Sequence, residues 1–263
     1  MTLKKNKIRL DQLLVKKKIV TTRERAQAII LSGKVRIQDA IADKPGKVFD
    51  ENVEIHLVGQ VHPFASRGGL KLEHALEQFK IDVEGKIALD IGSSTGGFTD
   101  CLLQKGAAKV YAVDVGYGQL DWKLRKDERV ICLDRTNARN LKREDLDDDP
   151  QLVVVDVSFI SLRLIFPALF EILKQQGDLV ALVKPQFEVG KEEIENKGII
   201  KDPVKRTNVL LRLHKFISEK SWVLRQLTES PIQGQKGNRE YLIHCNHTGA
   251  SLDEEDIRKV VVD

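Results

Sequence analysis

Four polar residues stand where a chain of alternating strands and helices would gather them: Lys71 in SRGGLKL, Asp156 in VVVDVSFIS, Lys184 in LVKPQFE and Glu240 in GNREYL. Two amines among two carboxylates can handle a proton. Burial and a nearby cation lower a lysine pKa, and a nearby carboxylate raises it. A lysine straight after VALV puts its ammonium at the edge of an apolar core. Taken singly, Lys71 and Glu240 read as an ordinary surface ion pair, since such residues are mostly exposed. Asp156 and Lys184 each close an apolar strand and read as functional.

A second constellation lies at residues 86–100, KIALDIGSSTGGFTD. An apolar strand runs into a glycine-rich turn and then a helix start, an order that lets backbone N–H groups approach a ligand. The turn offers Gly92, Ser93, Ser94, Gly96 and Gly97, followed by Phe98, which reads as core packing or as a neighbour of the ligand. The order G-S-S-T-G-G puts Ser94 where a dinucleotide fingerprint needs its second glycine, which counts against a nicotinamide oxidoreductase. Asp114 ends the next strand and suits ribose hydroxyls. Asp134 ends the third and suits an adenine amino group. The glycine turn and these two acids together suit S-adenosylmethionine, which brings no phosphate, with Asp156 a further donor-binding candidate. Each acid alone reads equally as a solvated strand end.

Strands are predicted at 86–92, 109–115, 129–134, 152–158, 178–184, 223–232 and 240–246, and helices at 67–80, 96–105, 161–175 and 203–220. Near-continuous apolar strands separated by helices indicate an α/β fold with a parallel sheet covered on both faces. Five parallel strands finishing in a hairpin are the plan of class I methyltransferases, a Rossmann-like sheet of seven strands. This domain is expected over 66–246, after a short joint at 61–65 and before a polar tail at 247–263.

Residues 1–60 form a separate small α+β unit. They hold 13 Lys and Arg against 7 Asp and Glu, while the whole chain of 263 residues carries only +4. A basic module on a near-neutral body points to a polyanion, or to a merely solvated basic face. Thr21 and Glu24 have capping-box spacing. The pattern IRLDQLL…TTRERAQAIILSGKVRI resembles the S4-like RNA-binding domain. That resemblance implies RNA contacts by Arg9, Arg23, Arg25, Lys34, Arg36 and Lys44, with Arg67 beyond the joint. Arginines at a helix start sit where guanidinium and helix N-terminus can both meet phosphate.

The two-domain combination, with SRGGLKL, LDIGSSTGGFTD, VDVSFIS, LVKPQFE and GNREY, resembles the TlyA family, long labelled hemolysins. Its Lys-Asp-Lys-Glu set resembles the tetrad of FtsJ-like ribose 2′-O-methyltransferases. FtsJ itself has proline and tryptophan where Thr95 and Phe98 stand here. The resemblance implies methyl transfer from S-adenosylmethionine to a ribose 2′-hydroxyl of ribosomal RNA, with cytidine the expected target and ribosomal subunits the expected partners. It implies Lys184 as the group that steers and deprotonates the hydroxyl, Asp156 as its orienting acid, Lys71 as a modulator of Lys184 or phosphate ligand, and Glu240 as a lysine-positioning group.

The remaining signals are weaker. Ser158 and Ser161 read as caps of the following helix. Phe187, Glu188 and Lys191 are candidates to meet a flipped nucleotide. Trp122 and Trp222 are open to core or rim packing or to base stacking. Cys101, Cys132 and Cys245 make no CxxC pair, and the histidines (His56, His62, His74, His214, His244, His247) have no metal spacing, so reduced thiols, no metal and a cytoplasmic setting are expected. A non-catalytic RNA-binding or ribosome-assembly factor is a rival. A pore-forming hemolysin is another, although neither an apolar span nor an alternating barrel set is visible.

Overall fold

The structure, a computed structural model, describes residues 7–20, 22–31, 33–37, 40–57, 63–173, 177–190, 198–234 and 237–261. The chain divides into two compact units, 1–62 and 63–263.

The first unit runs β1 (Lys7–Arg9), α1 (Leu10–Lys16), α2 (Arg23–Leu31), β2 (Val35–Ile37), β3 (Ala40–Ile41), β4 (Val48–Asp50) and β5 (His56–Leu57). β1 pairs with β4, and β2 lies between β3 and β5, all antiparallel. Leu10 and Leu14 of α1 meet Ala26, Ile29 and Ile30 of α2 over Val35 and Ile37. The strand period turns Arg36 outward between those two buried residues. The strand expected across 53–59 amounts to two described residues, and Thr21 of the expected capping pair lies outside the described residues.

The second unit contains the seven-stranded sheet expected from the sequence. Its strands are β6 (Ile87–Ile91), β7 (Lys109–Val113), β8 (Val130–Leu133), β9 (Leu152–Val155), β10 (Asp178–Val183), β11 (Val223–Glu229) and β12 (Tyr241–Asn246), in the order β11-β12-β10-β9-β6-β7-β8. The five strands from β8 to β10 are parallel, and β12 is antiparallel to both its neighbours. The helices are α3 (Gly68–Phe79), α4 (Gly97–Gln104), α5 (Trp122–Arg125), α6 (Phe166–Leu173), α7 (Pro185–Glu188), α8 (Pro203–Glu219) and α9 (Glu254–Val260). Alternate strand residues feed two cores. Leu89, Ile91, Tyr111, Val113, Val153 and Val155 join α6, α8 and α9. Ala88, Val110, Ala112, Leu152 and Val154 join α3 and α4. Burial on both faces explains the continuous apolar runs.

Three expectations need correction. The 161–175 helix begins as a 3-10 turn, Leu162–Leu164, before α6. The polar tail contains α9, whose Ile257 is fully buried in the larger core. Within the joint, Phe64 packs in the α3–α4 core and Ala65 N–H donates to Asp100 at 2.7 Å, so residues 63–65 belong to the sheet unit.

Candidate active site

Strand register assembles the four polar residues. Val155 of β9 and Ala181 of β10 are parallel partners, so Asp156 and Lys184 leave the sheet at its carboxyl edge on adjacent strands. β12 runs the other way, with Tyr241 opposite Val183. Its first residue therefore follows Glu240 at the edge where β10 ends. Lys184 Nζ lies 2.6 Å from Asp156 Oδ1 and donates to Ser158 Oγ at 2.9 Å. Lys71, from the first turn of α3, donates to Glu240 Oε2 at 2.5 Å. The side chains of that pair are only 7% and 3% exposed, so it is no surface ion pair. Taking single charges out of water costs several kcal/mol each, about 3–5 kcal/mol when one partner is then removed, which binds these two together. All four residues line one cavity of about 310 Å³ with Gly92, Ser93, Ser94, Gly97 and Phe98.

The glycines of the turn are demanded by protein neighbours. A side chain on Gly92 (φ +83°) would put its Cβ 2.6 Å from the Asp156 carbonyl oxygen. One on Gly96 (φ +95°) would strike Leu124 and Leu120. Asp114 accepts from Ser94 N at 2.8 Å and Gly116 N at 2.7 Å, which pins the turn to the end of β7. Beside it opens a second cavity of about 520 Å³, walled by Asp114, Val113, Asn137 and Ala138. The two cavities share Gly92, Ser94, Asp156, Ser158 and Phe159. Gly96 lines neither. Asp134 lines neither as well: Arg125 grips its carboxylate at 2.7 and 3.0 Å.

In the first unit, Asp11 is fully buried and gathers its neighbours. Arg9 donates to it at 3.1 and 3.0 Å, Arg23 at 2.9 Å and Gln27 at 3.1 Å. The Arg9 guanidinium, with help from Gln27 and Arg23, holds its carboxyl well below the usual range against the cost of burial. Both arginines keep nearly half of their side-chain surface in solvent. Lys34, Arg36 and Lys44 are exposed. The Arg25 side chain lies outside the described residues. Arg67 belongs to the second unit and lines the 310 Å³ cavity.

Residues 64–247 match the FtsJ-like methyltransferase family, and residues 8–55 match the S4 domain. The chain belongs to the FtsJ-like methyltransferase family. It is 47% identical to YqxC of Bacillus subtilis, provisionally named an rRNA methyltransferase, over 99% of this chain and 94% of that one. It is 44% identical to the 16S/23S rRNA (cytidine-2′-O)-methyltransferase TlyA of Mycobacterium tuberculosis, covering 89% of this chain and 88% of the relative. A Streptococcus thermophilus protein, solved under a hemolysin name, superposes with a TM-score of 0.75 at 43% identity, covering 98% of this chain and 95% of its own. Among the described residues no helix is long and apolar enough to cross a membrane.

This FtsJ-like site holds residues that the sequence did not announce. Asp90, buried beneath the turn, accepts from Thr99 Oγ1 at 2.6 Å, and its other oxygen has no hydrogen-bond partner among the described residues. Burial pushes its carboxyl up to about 7. The only signal was an acid inside an apolar strand. Ser158, expected to cap a helix, instead accepts from Lys184; Ser161 does cap, accepting from Arg163 N. Phe159 is 88% exposed at φ +65°, an uncommon backbone state for a bulky residue, and its ring lies 5.0 Å from that of Phe187. Glu188 turns inward and accepts from Ser161 Oγ at 2.6 Å and Leu162 N at 2.7 Å, so it is unavailable to a nucleotide. Lys191 lies outside the described residues.

Proposed function

We propose that the protein methylates a ribose 2′-hydroxyl of ribosomal RNA, at cytidine, with S-adenosylmethionine as donor, on ribosomal subunits in the cytoplasm. The observation that carries this reading is the Lys184–Asp156 pair opening into a cavity beside the glycine turn. The names of the FtsJ-like relatives support the substrate class.

The donor's chemistry agrees with the residues present. The 520 Å³ cavity offers an apolar wall with Asp114 at its edge for a nucleoside, and the adjoining cavity is polar around Gly92, Ser93 and Asp156. A bound S-adenosylmethionine supplies a methyl group already activated by the positive charge on sulfur. The chain's own task is alignment and proton handling. A ribose hydroxyl is a weak nucleophile that loses its proton as it attacks. Lys184, in its neutral amine form, is the group to steer that oxygen and accept the proton at Nζ. Asp156 and Ser158 hold the amine in position from two sides. Lys71, braced by Glu240, faces the same cavity and suits a phosphate or the Lys184 environment. Phe159, with Phe187 behind it, offers an exposed ring on which an extruded base can stack, offsetting part of the few kcal/mol that unstacking costs. The S4 arginines add phosphate contacts.

The test is direct. The purified chain is incubated with labelled donor and ribosomal subunits, and nuclease digests are read by mass spectrometry. Appearance of 2′-O-methylcytidine is expected. A digest in which every transferred methyl sits on a base, or none is transferred, overturns the reading.

A further inference from the structure

The segment joining β7 to α5 is stapled to the glycine turn from below. Asp114 accepts from Ser94 N, Asp121 N donates to Thr95 O at 3.3 Å, and Leu120 and Leu124 are buried against the space that a Gly96 side chain would fill. The same segment leaves its other side unpacked. Val115, Tyr117 and Trp122 are 71%, 70% and 62% exposed. Three large apolar groups within eight residues make a patch of the kind that marks a contact surface.

The patch is also cationic. The Arg135 guanidinium sits 4.5 Å from the centre of the Tyr117 ring, and Lys126 and Lys123 sit 5.1 and 5.9 Å from that of Trp122. None of the three makes an ion pair among the described residues, whereas the neighbouring acid Asp134 is spent on Arg125 and Asp121 caps α5. Backbone bonds hold this arrangement still: Arg135 N donates to Gly116 O at 2.9 Å. Rigid aromatic rings bordered by unpaired cations suit a chain that presents planar bases and phosphates together. That chain is single-stranded nucleic acid: bases stack on rings, and cations follow the backbone.

We propose that Tyr117, Trp122, Lys123, Lys126 and Arg135 form a second RNA contact on the catalytic unit itself, gripping an unpaired stretch of the substrate outside the nucleotide being modified. This rests on the RNA methylation reading above. Because Asp114 and Gln119 of the same segment line the 520 Å³ cavity, RNA held here lies at the mouth of the donor site.

The chain has two tryptophans, and Trp222 is buried and stacked 4.4 Å from Phe170, so Trp122 is the quencher-accessible reporter. The full-length protein is titrated with protein-free ribosomal RNA while tryptophan emission, acrylamide quenching and methyl-transfer kinetics are followed. Emission of Trp122 should fall and become shielded from acrylamide. Trp122→Phe should silence both signals. A Tyr117→Ala/Trp122→Ala variant should raise the RNA KM about tenfold to a hundredfold, with donor binding by calorimetry and kcat at saturating RNA retained. If RNA binds and is methylated while Trp122 stays equally accessible and the variant keeps its KM, the contact does not exist, although the methylation reading stands. Shielding by intact subunits but not by stripped RNA assigns the patch to a ribosomal protein and overturns the proposal. A wild-type chain that neither binds nor methylates RNA removes the parent reading and this one with it.

Discussion

The two units handle charge in opposite ways. In the S4 domain, one buried acid, Asp11, anchors two arginines whose guanidiniums stay half in water. The cluster keeps a surplus of positive charge and offers it outward. In the catalytic cavity, Lys71 and Lys184 each have their own acid, and the Lys71–Glu240 pair is sealed from solvent. Neither of these two lysines has charge left over for long-range attraction, but each is fixed to within a hydrogen bond. Exposed surplus suits capture of a polyanion, and buried balance suits chemistry at one atom. The two key acids also titrate in opposite directions, Asp11 held down by its guanidinium partner and Asp90 pushed up by burial.

The contrast can be broken most forcefully at Lys184. Lys184→Ala should cut kcat by about 10²–10⁴, the range for a lost general base, while calorimetry finds donor binding nearly intact. Retained wild-type turnover would disqualify Lys184. Next is Lys71→Ala, which strands a buried Glu240 carboxylate and should cost about 3–5 kcal/mol in denaturant unfolding. A loss below about 1 kcal/mol would mean that the pair is not sealed in solution.

The opposed acids sharpen the comparison through pH. Asp90 has a folded-state value of about 7 against 3.8 when free. The folded form therefore binds the extra proton in that window, and the stability it contributes is complete below about 4 and lost as pH rises toward 7. Asp90→Asn should flatten that decline, measured as melting temperature against pH. Asp11 has the reverse sign, its contribution present above about 4 and lost on acidification. Asp11→Asn should remove that acid-side loss and cost about 1–3 kcal/mol at neutral pH. The smallest effect is expected at Arg23. Arg23→Ala should reduce the slope of log affinity for RNA against log salt by about 1, without changing which nucleotide is modified.

The strands, with Asp156 and Lys184 at their ends, were legible because burial on both faces forces unbroken apolar runs, and any charged residue closing one stands out. The parallel strands and the closing hairpin were expected, but the place of the hairpin in the sheet was not legible. That Glu240 comes beside the end of β10 depends on β12 inserting antiparallel between β10 and β11, a register that no local pattern encodes. Asp134 resembled a ligand-binding acid in sequence for the same reason that Asp114 did. Its capture by Arg125 needs α5, a single four-residue turn too short to show a period. Asp11 was hidden inside a motif read for its leucines. The C-terminal segment looked polar because, among its described residues, only Ile257 and Val261 are buried.

The near contact at position 92 gives the site a mechanical property. With no room for even one carbon between the turn and the Asp156 carbonyl, the floor of the proposed donor pocket and Asp156 move as one piece. Enlarging the proposed donor pocket for bulkier donors at this turn would push Asp156, and Lys184 paired with it, out of place. Space for such donors has to be sought on the wall formed by Asn137 and Ala138, which touches neither lysine.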